Sequence, residues 1–249
     1  MKSLFTLLCL AVAITAFAGD KGNKPQPKPV LGDKGNIYRP IWDTFYGGDA
    51  VVCRNNKNQV TKALLLDYAE KDKYYPAGIK HDSFLHDVHY VNLLSAKLER
   101  VSPDVFASFR REALKLANQF STYKKPGFKP SAHVRFVKGP LFEVPDSQHS
   151  EAVNTNIKGC KVEQLVVRQK KYNTVVYHVQ VEIFEKLSLR DRRGLIIHEA
   201  LYHSFNMYYS DYYSNRSRFF NRQISRVPLQ HLTDEMIVYA MRQAYIKFE

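Results

Sequence analysis

The stretch richest in chemistry is Leu195-Ile196-Ile197-His198-Glu199-Ala200-Leu201-Tyr202-His203. It invites comparison with the His-Glu-x-x-His pattern of zinc peptidases, in which histidines four apart share one helix face and one metal. Here the second histidine falls one residue late. Residues five apart diverge by roughly 140° around a helix axis, so His198 and His203 do not face one ion on a regular helix. Only a π-bulge would correct this. Glu199 and His203 keep the i, i+4 spacing, about 40° apart. They are the pair able to hold a metal jointly, zinc being the candidate cofactor, or to hydrogen-bond each other. His198 shares its face with Tyr202.

Two roles remain open for His198 and Glu199. As catalytic residues, they would supply the acid–base pair of a hydrolase, the carboxylate raised in pKa by burial beside the imidazole. As structural residues, Glu199 would be a semi-buried carboxylate that needs a cationic partner, because burying it alone is costly. Arg216 and Arg218 are the nearest candidates.

Those arginines belong to a second candidate stretch. Between Met207 and Arg222, Tyr208, Tyr209, Tyr212, Tyr213, Phe219 and Phe220 interleave with Arg216, Arg218 and Arg222. Guanidinium forks among aromatic faces suit bases, sugars or polyanions. The alternative is that half of these rings are core and the rest line a loop. A third cluster, Asp82, His86 and His89, falls on one helix face and reads either as a surface metal site or as the solvated side of an amphipathic helix.

These groups need elements to hold them. Gly47-Gly48 then Ala50 to Cys53 reads as a turn entering a strand. Ala63 to Tyr68 is an apolar run, either strand or helix start. Phe84, Val88, Val91, Leu94 and Leu98 predict a helix over 83–100. Ser102-Pro103 predicts the start of a second, with Phe106, Phe109, Ala113, Leu116 and Phe120 inward. Residues 132–137, 161–168 and 174–184 alternate like strands, the last two joined as a hairpin over 169–173. Ser188 to Asp191 predicts the start of the His198 helix, running to about Asn206. Thr233 caps a last helix, with Met236, Ala240, Met241, Ala244 and Tyr245 inward. The order implies an α+β fold: a helical N-terminal half, a small antiparallel sheet, and C-terminal helices packed on it.

Composition narrows the setting. Among 249 residues, 45% are hydrophobic and 24% charged, with 37 Lys or Arg against 24 Asp or Glu, a formal charge of +13. That balance is globular and excludes disordered, collagen-like and coiled-coil chains. Lys2, the apolar run Leu4 to Phe17 and the small-x-small Ala16-Phe17-Ala18 form a signal peptide over 1–18, cut near Ala18. Residues 19–40, rich in Gly, Pro and Lys, read as a flexible linker in which no regular element is expected. Residues 41–249 read as one globular domain. No membrane span is expected in the mature chain, since no other run approaches the ~20 apolar residues a spanning helix needs. Without residues 1–18 the charge is +12, so the basicity belongs to the folded part. Of the three cysteines, Cys53 and Cys160 remain. Export permits a disulfide between them, two buried thiols being the alternative.

The chain resembles a group of secreted bacterial proteins with no established activity. The marks are Gly47-Gly48-Asp49-Ala50-Val51-Val52-Cys53, Leu65-Leu66-Asp67-Tyr68, Cys160-Lys161-Val162-Glu163-Gln164, and His198-Glu199-Ala200-Leu201-Tyr202 followed by Ser214 to Arg218. The resemblance implies export to the periplasm or exterior and a site around His198-Glu199. It implies that Cys53 and Cys160 belong together. A second histidine is not among the group's regular marks, which sets His203 apart.

Three functions remain. The first is an envelope-associated protein, in a role the sequence does not specify, in which His198 and Glu199 organise the core. The second is a metal-dependent or Glu/His acid–base hydrolase. The third is a module binding peptidoglycan or another polyanion through Arg216, Arg218, Arg222 and Tyr212. No nucleophile elbow, P-loop or dinucleotide fingerprint is present. Nucleic acid is not an expected partner, since no binding signature appears and the chain is exported. Anionic envelope polymers or lipid headgroups fit the charge better.

Overall fold

The computed structural model describes residues 30–31, 37–38, 44–69, 85–141, 159–171, 174–209 and 215–244. The signal peptide, most of the linker, Asp82, Tyr212, Ser214 and Tyr245 lie outside them. The chain enters through two short strands, β1 (Val30–Leu31) and β2 (Ile37–Tyr38), paired antiparallel. This pair falls inside the segment expected to hold no regular element.

The α+β class holds. Strands β3 (Thr44–Tyr46), β4 (Asp49–Arg54) and β5 (Val60–Leu65) lead into a one-turn helix α1 (Leu66–Ala69). Helices α2 (Asp87–Val101), α3 (Pro103–Phe106) and α4 (Phe109–Thr122) follow. Then come β6 (Val134–Val137), β7 (Cys160–Gln164), β8 (Val166–Lys171), β9 (Thr174–Gln180) and α5 (Val181–Phe184). Helices α6 (Leu189–Tyr209), α7 (Asn215–Ile224) and α8 (Asp234–Gln243) close the chain, with a 3-10 turn at Leu229–His231 before the last.

The strands form two principal sheets. One has the order β5-β4-β7 and is antiparallel; the other, β3-β8-β9-β6, carries β6 parallel to β9. The division comes from the segment read as one strand over 161–168. It breaks at Leu165, so that β7 pairs with β4 while β8 pairs with β9 and β3. The amides of Leu165 and Val166 both donate to the Gly48 carbonyl at 3.0 Å, which holds the seam. Gly47 makes the close approach feasible: a Cβ there would sit 1.7 Å from the Val166 carbonyl oxygen.

Helix α6 is central. Every side chain from Arg193 to Phe205 is buried, which is why its sequence lacks an amphipathic period. Its start is capped as expected, the Asp191 amide donating to Ser188 Oγ at 3.1 Å and the Ser188 hydroxyl donating back to the Asp191 carboxylate. Asp191 Oδ1 also accepts from the Leu65 amide at 3.2 Å, tying β5 to α6. Helix α4 packs on α6 and buries Phe109, Ala113, Leu116 and Phe120 of the predicted inner face, together with Ala117. Phe106, Phe205 and Phe220 join α3, α6 and α7 in an aromatic cluster.

Other expectations shift locally. Helix α2 begins at Asp87 and is capped by His86, which accepts from the Val88 amide; positions 83 and 84 of the expected helix lie outside the described residues. Ser102 makes no side-chain cap bond, and the second helix is interrupted after Phe106. Residues 181–184 turn helical instead of extending β9. Thr233 caps α8, but Met236 is exposed and Ile237 takes the inward place. His86 and His89 are exposed, as a solvated face requires.

The seam gives a direct test. Gly47→Ala forces the methyl into backbone, so it should cost about 3 kcal/mol or more in urea unfolding. A loss below about 0.5 kcal/mol, the range of an ordinary surface change, would show that the strands do not meet there as described.

Candidate functional site

Four separated stretches converge on one side of α6. The Gly47-Gly48-Asp49 turn enters β4, Asp67 opens α1, Gln164 ends β7, and Arg218 lies on α7. Facing them are His198 and Glu199. Asp49, Asp67, His198 and Glu199 are each no more than 1% exposed, and Arg218 only 4%.

Asp67 sits here because β5 turns straight into α1, so the apolar run 63–68 is strand and helix start in succession. Its Oδ2 accepts from His198 Nδ1 at 2.8 Å and from Asn221 Nδ2 at 2.7 Å. The same Asn221 amide donates to the Gly194 carbonyl at 3.0 Å, so one side chain links α1, α6 and α7. Gly194 is required for this packing: a Cβ would sit 2.4 Å from the Tyr68 ring. The Tyr68 hydroxyl lies 3.0 Å from Ser225 Oγ, and burial pushes its phenol well above the ordinary range.

With its Nδ1 proton given to Asp67, His198 presents Nε2, which has no hydrogen-bond partner among the described residues. Burial opposes the imidazolium, but the Asp67 carboxylate beside it and Glu199 nearby outweigh that, pushing His198 up to about 9. It is therefore charged at neutral pH. Glu199 lies under the turn: a Cβ on Gly48 would meet Glu199 Oε1 at 2.8 Å and His198 Cδ2 at 3.7 Å. Gln164 fixes that turn, donating to the Gly48 carbonyl at 3.0 Å and the Val166 carbonyl at 2.8 Å. Arg218 Nη2 stands 3.7 Å from Asp49 Oδ2.

The chain matches no protein-family model, no curated protein and no solved structure.

The structure separates His203 from this group. Its Nδ1 accepts from Arg168 Nη2 at 2.9 Å, and the same guanidinium lies 5.5 Å from the Tyr202 ring centre. Burial, then the Arg168 charge, push His203 down to about 4, leaving it neutral. A guanidinium only donates, so the proton of this imidazole is on Nε2. Among the described residues no group of three His, Cys, Asp or Glu could hold a metal ion. The spacing left Glu199 and His203 able to share a metal or to bond each other; in the structure His203 Nδ1 meets the Arg168 guanidinium.

The binding stretch also changes meaning. Arg218 is buried beside Asp49 and is not a surface residue. Arg216 lies 6.0 Å from the Tyr209 ring centre, and Arg222 lies 5.4 Å from that of Phe219. Arg218, one of the two arginines expected near Glu199, stands beside the carboxylate of Asp49. Residues left unassigned by sequence reasoning complete the centre: Asp49, Asp67, Gln164 and Asn221. The first three stood within the quoted marks. Asn221 carried one faint signal, since Ser217, Asn221 and Ser225 fall at i, i+4 and i+8 on the buried side of α7.

The two histidines predict opposite pH limbs. Folding raises His198 from 6.5 to about 9. The stability it contributes is complete below pH 6.5 and is lost as pH rises through 9. Folding lowers His203 from 6.5 to about 4, so its contribution is present above 6.5 and lost as pH falls through 4. Urea unfolding between these limits should therefore show a decline on each side, and Asp67→Asn should flatten the alkaline one. An alkaline limb identical in wild type and Asp67→Asn would mean that this carboxylate does not hold the proton on His198.

Proposed function

We propose that the chain is an exported, envelope-associated protein in which the His198 centre is an internal charged clamp. Export rests on Lys2, the apolar run and the Ala16-Phe17-Ala18 site. It is supported by the disulfide between Cys53 and Cys160, a bond that persists in oxidising compartments. The bridge joins directly opposed residues of β4 and β7 and closes a 107-residue separation. Among the described residues no helix is long and apolar enough to cross a membrane. The resemblance to secreted bacterial proteins points the same way. Basic charge on such a chain meets anionic envelope polymers and lipid headgroups.

One observation carries the clamp reading. The groups best suited to chemistry are the most deeply enclosed, His198 at 1% and Glu199 at 0% exposure. Buried charges of this kind need partners on several elements, and they specify which elements may meet. A second reading, an acid–base hydrolase, is favoured by a different observation. His198 is oriented by a carboxylate through Nδ1, while Nε2 stands without a partner among the described residues and Glu199 lies beside it. That is the arrangement a proton-transfer pair requires.

Two measurements decide. Expression in a bacterial host should yield a periplasmic or released product beginning at Gly19 by mass spectrometry; retention of residues 1–18 in the cytoplasm would remove the export reading. Glu199→Gln separates the other two. For a clamp it should lower stability by about 1–3 kcal/mol, a range set by losing a charged buried group, without touching any hydrolytic rate. For a hydrolase it should abolish turnover of ester, peptide or glycan substrates that the parent chain cleaves. Parent activity lost in a normally folded Glu199→Gln would overturn the clamp.

A further inference from the structure

The basicity of this chain is not spread evenly. Between Ala107 and Leu141, eight Lys or Arg face one carboxylate, a net +7 of the formal +13. That carboxylate, Glu112, is buried and already bonded to Tyr177 and Lys115. Seven of the eight cations are exposed.

Their placement is ordered. Arg111, Lys115, Asn118 and Thr122 fall at i, i+4, i+7 and i+11 on α4, opposite the face that packs on α6. Lys125 and Lys129 continue past its end. The backbone is left-handed at Lys124 and Gly127 (φ 62° and 78°), and the loop is closed by the Phe128 amide donating to the Lys125 carbonyl at 3.0 Å. Phe128 packs edge-on against Tyr123 and Phe136, with centres 5.6 and 5.7 Å away. Arg135 and Lys138 add charge along β6, which is an edge strand. Among the described acidic groups Glu185 reaches this surface, where it pairs with Lys124 at 2.7 Å.

We infer that the outer face of α4, with the loop that follows it and β6, docks on anionic phospholipid headgroups. Lysine and arginine stems over half-buried rings suit the headgroup region, where one end of a side chain is apolar and the other wet. A small glycan unit would instead call for a concave site with precisely placed polar groups, whereas the exposed face of α4 is convex and offers Asn118 alone among amide and carboxylate side chains. Each cation held near an anionic leaflet strengthens binding by about fivefold, so several together suffice for stable attachment. The inference rests on the envelope reading for its natural surface, but its measurement does not depend on export.

The test uses the chain from Gly19, which retains every described element. Co-sedimentation is measured with vesicles of roughly one-third phosphatidylglycerol in phosphatidylcholine, and with phosphatidylcholine alone. Binding is expected to the first and not the second, and to vanish near 0.5 M salt, where exposed charges are screened over about 4 Å. Arg111→Glu/Lys125→Glu/Lys129→Glu should weaken it at least tenfold. The charge-matched Lys57→Glu/Lys62→Glu/Arg242→Glu, also at exposed positions, should weaken it less than threefold. The single Lys129→Glu, expected to lose about fivefold or more, keeps the test decisive if a triple variant unfolds. Equal losses in both triple variants, equal binding to neutral vesicles, or sedimentation with peptidoglycan but not with vesicles would each overturn the assignment.

Discussion

The bond from His198 Nδ1 to Asp67 Oδ2 is the contact on which the rest of the structure depends. Neither group can be buried alone, since an isolated ionised side chain in the interior costs far more than a folded domain can offset. Paired, they demand that α1 lie against α6 at one position. Asn221 then extends the demand to α7, because its amide spans Asp67 and the Gly194 carbonyl. Three elements from distant parts of the chain are thereby held by a handful of polar atoms. An apolar contact of similar area would attract them equally but would tolerate sliding; a hydrogen-bonded charge pair does not.

A second constraint, steric rather than electrostatic, acts on the other side of the same helix turn. The Gly48 carbonyl accepts from two backbone amides and from Gln164, and side chains at positions 47 and 48 would strike the Val166 backbone and Glu199. The antiparallel ladder of β4 and β7 runs from this point to the disulfide, with Asp49 opposite Gln164 at one end and Cys53 opposite Cys160 at the other. The bridge thus closes the ladder whose far end holds the turn above Glu199. Covalent and polar restraints fix the same pair of strands, which explains why separated stretches of sequence meet without an extensive sheet.

Much of this was legible, and the failures have identifiable causes. Helix α4 and the start of α6 followed from apolar spacing and from Ser188 with Asp191, because local signals there agree with the tertiary contacts. The segment over 161–168 alternated as one strand, yet it serves two sheets. Alternation reports which side chains are buried and says nothing of which neighbour a backbone joins; the break is caused by Gly48, over a hundred residues earlier. Asp67 could not be placed by local pattern, since its apolar run is strand for three residues and helix for the next three. Arg218 was open to two readings for a similar reason. A cation among aromatic residues looks like a binding surface, and only the position of Asp49 reveals it as interior. His203 and Glu199 have helical spacing suited to a shared ligand, but spacing along one helix does not reveal Arg168, which reaches His203 Nδ1 from the neighbouring sheet.

The charge on His198 bears on what the centre can do. An imidazole held up to about 9 begins at neutral pH with its proton on, so it is an acid or an electrostatic anchor and not a base. Glu199, the carboxylate whose charge helps keep His198 protonated, is the acceptor that the hydrolase reading assigns. The two assignments are mutually dependent: removing the Glu199 charge, by protonation or by contact with a cation, weakens the hold on the imidazole proton. The same dependence serves a purely structural role, because buried carboxylates need cations beside them: His198 stands against Asp67, and Arg218 stands beside Asp49. The protein's excess of positive charge lies away from this centre: a net +7 of the formal +13 falls between Ala107 and Leu141, on α4, the loop that follows it and β6.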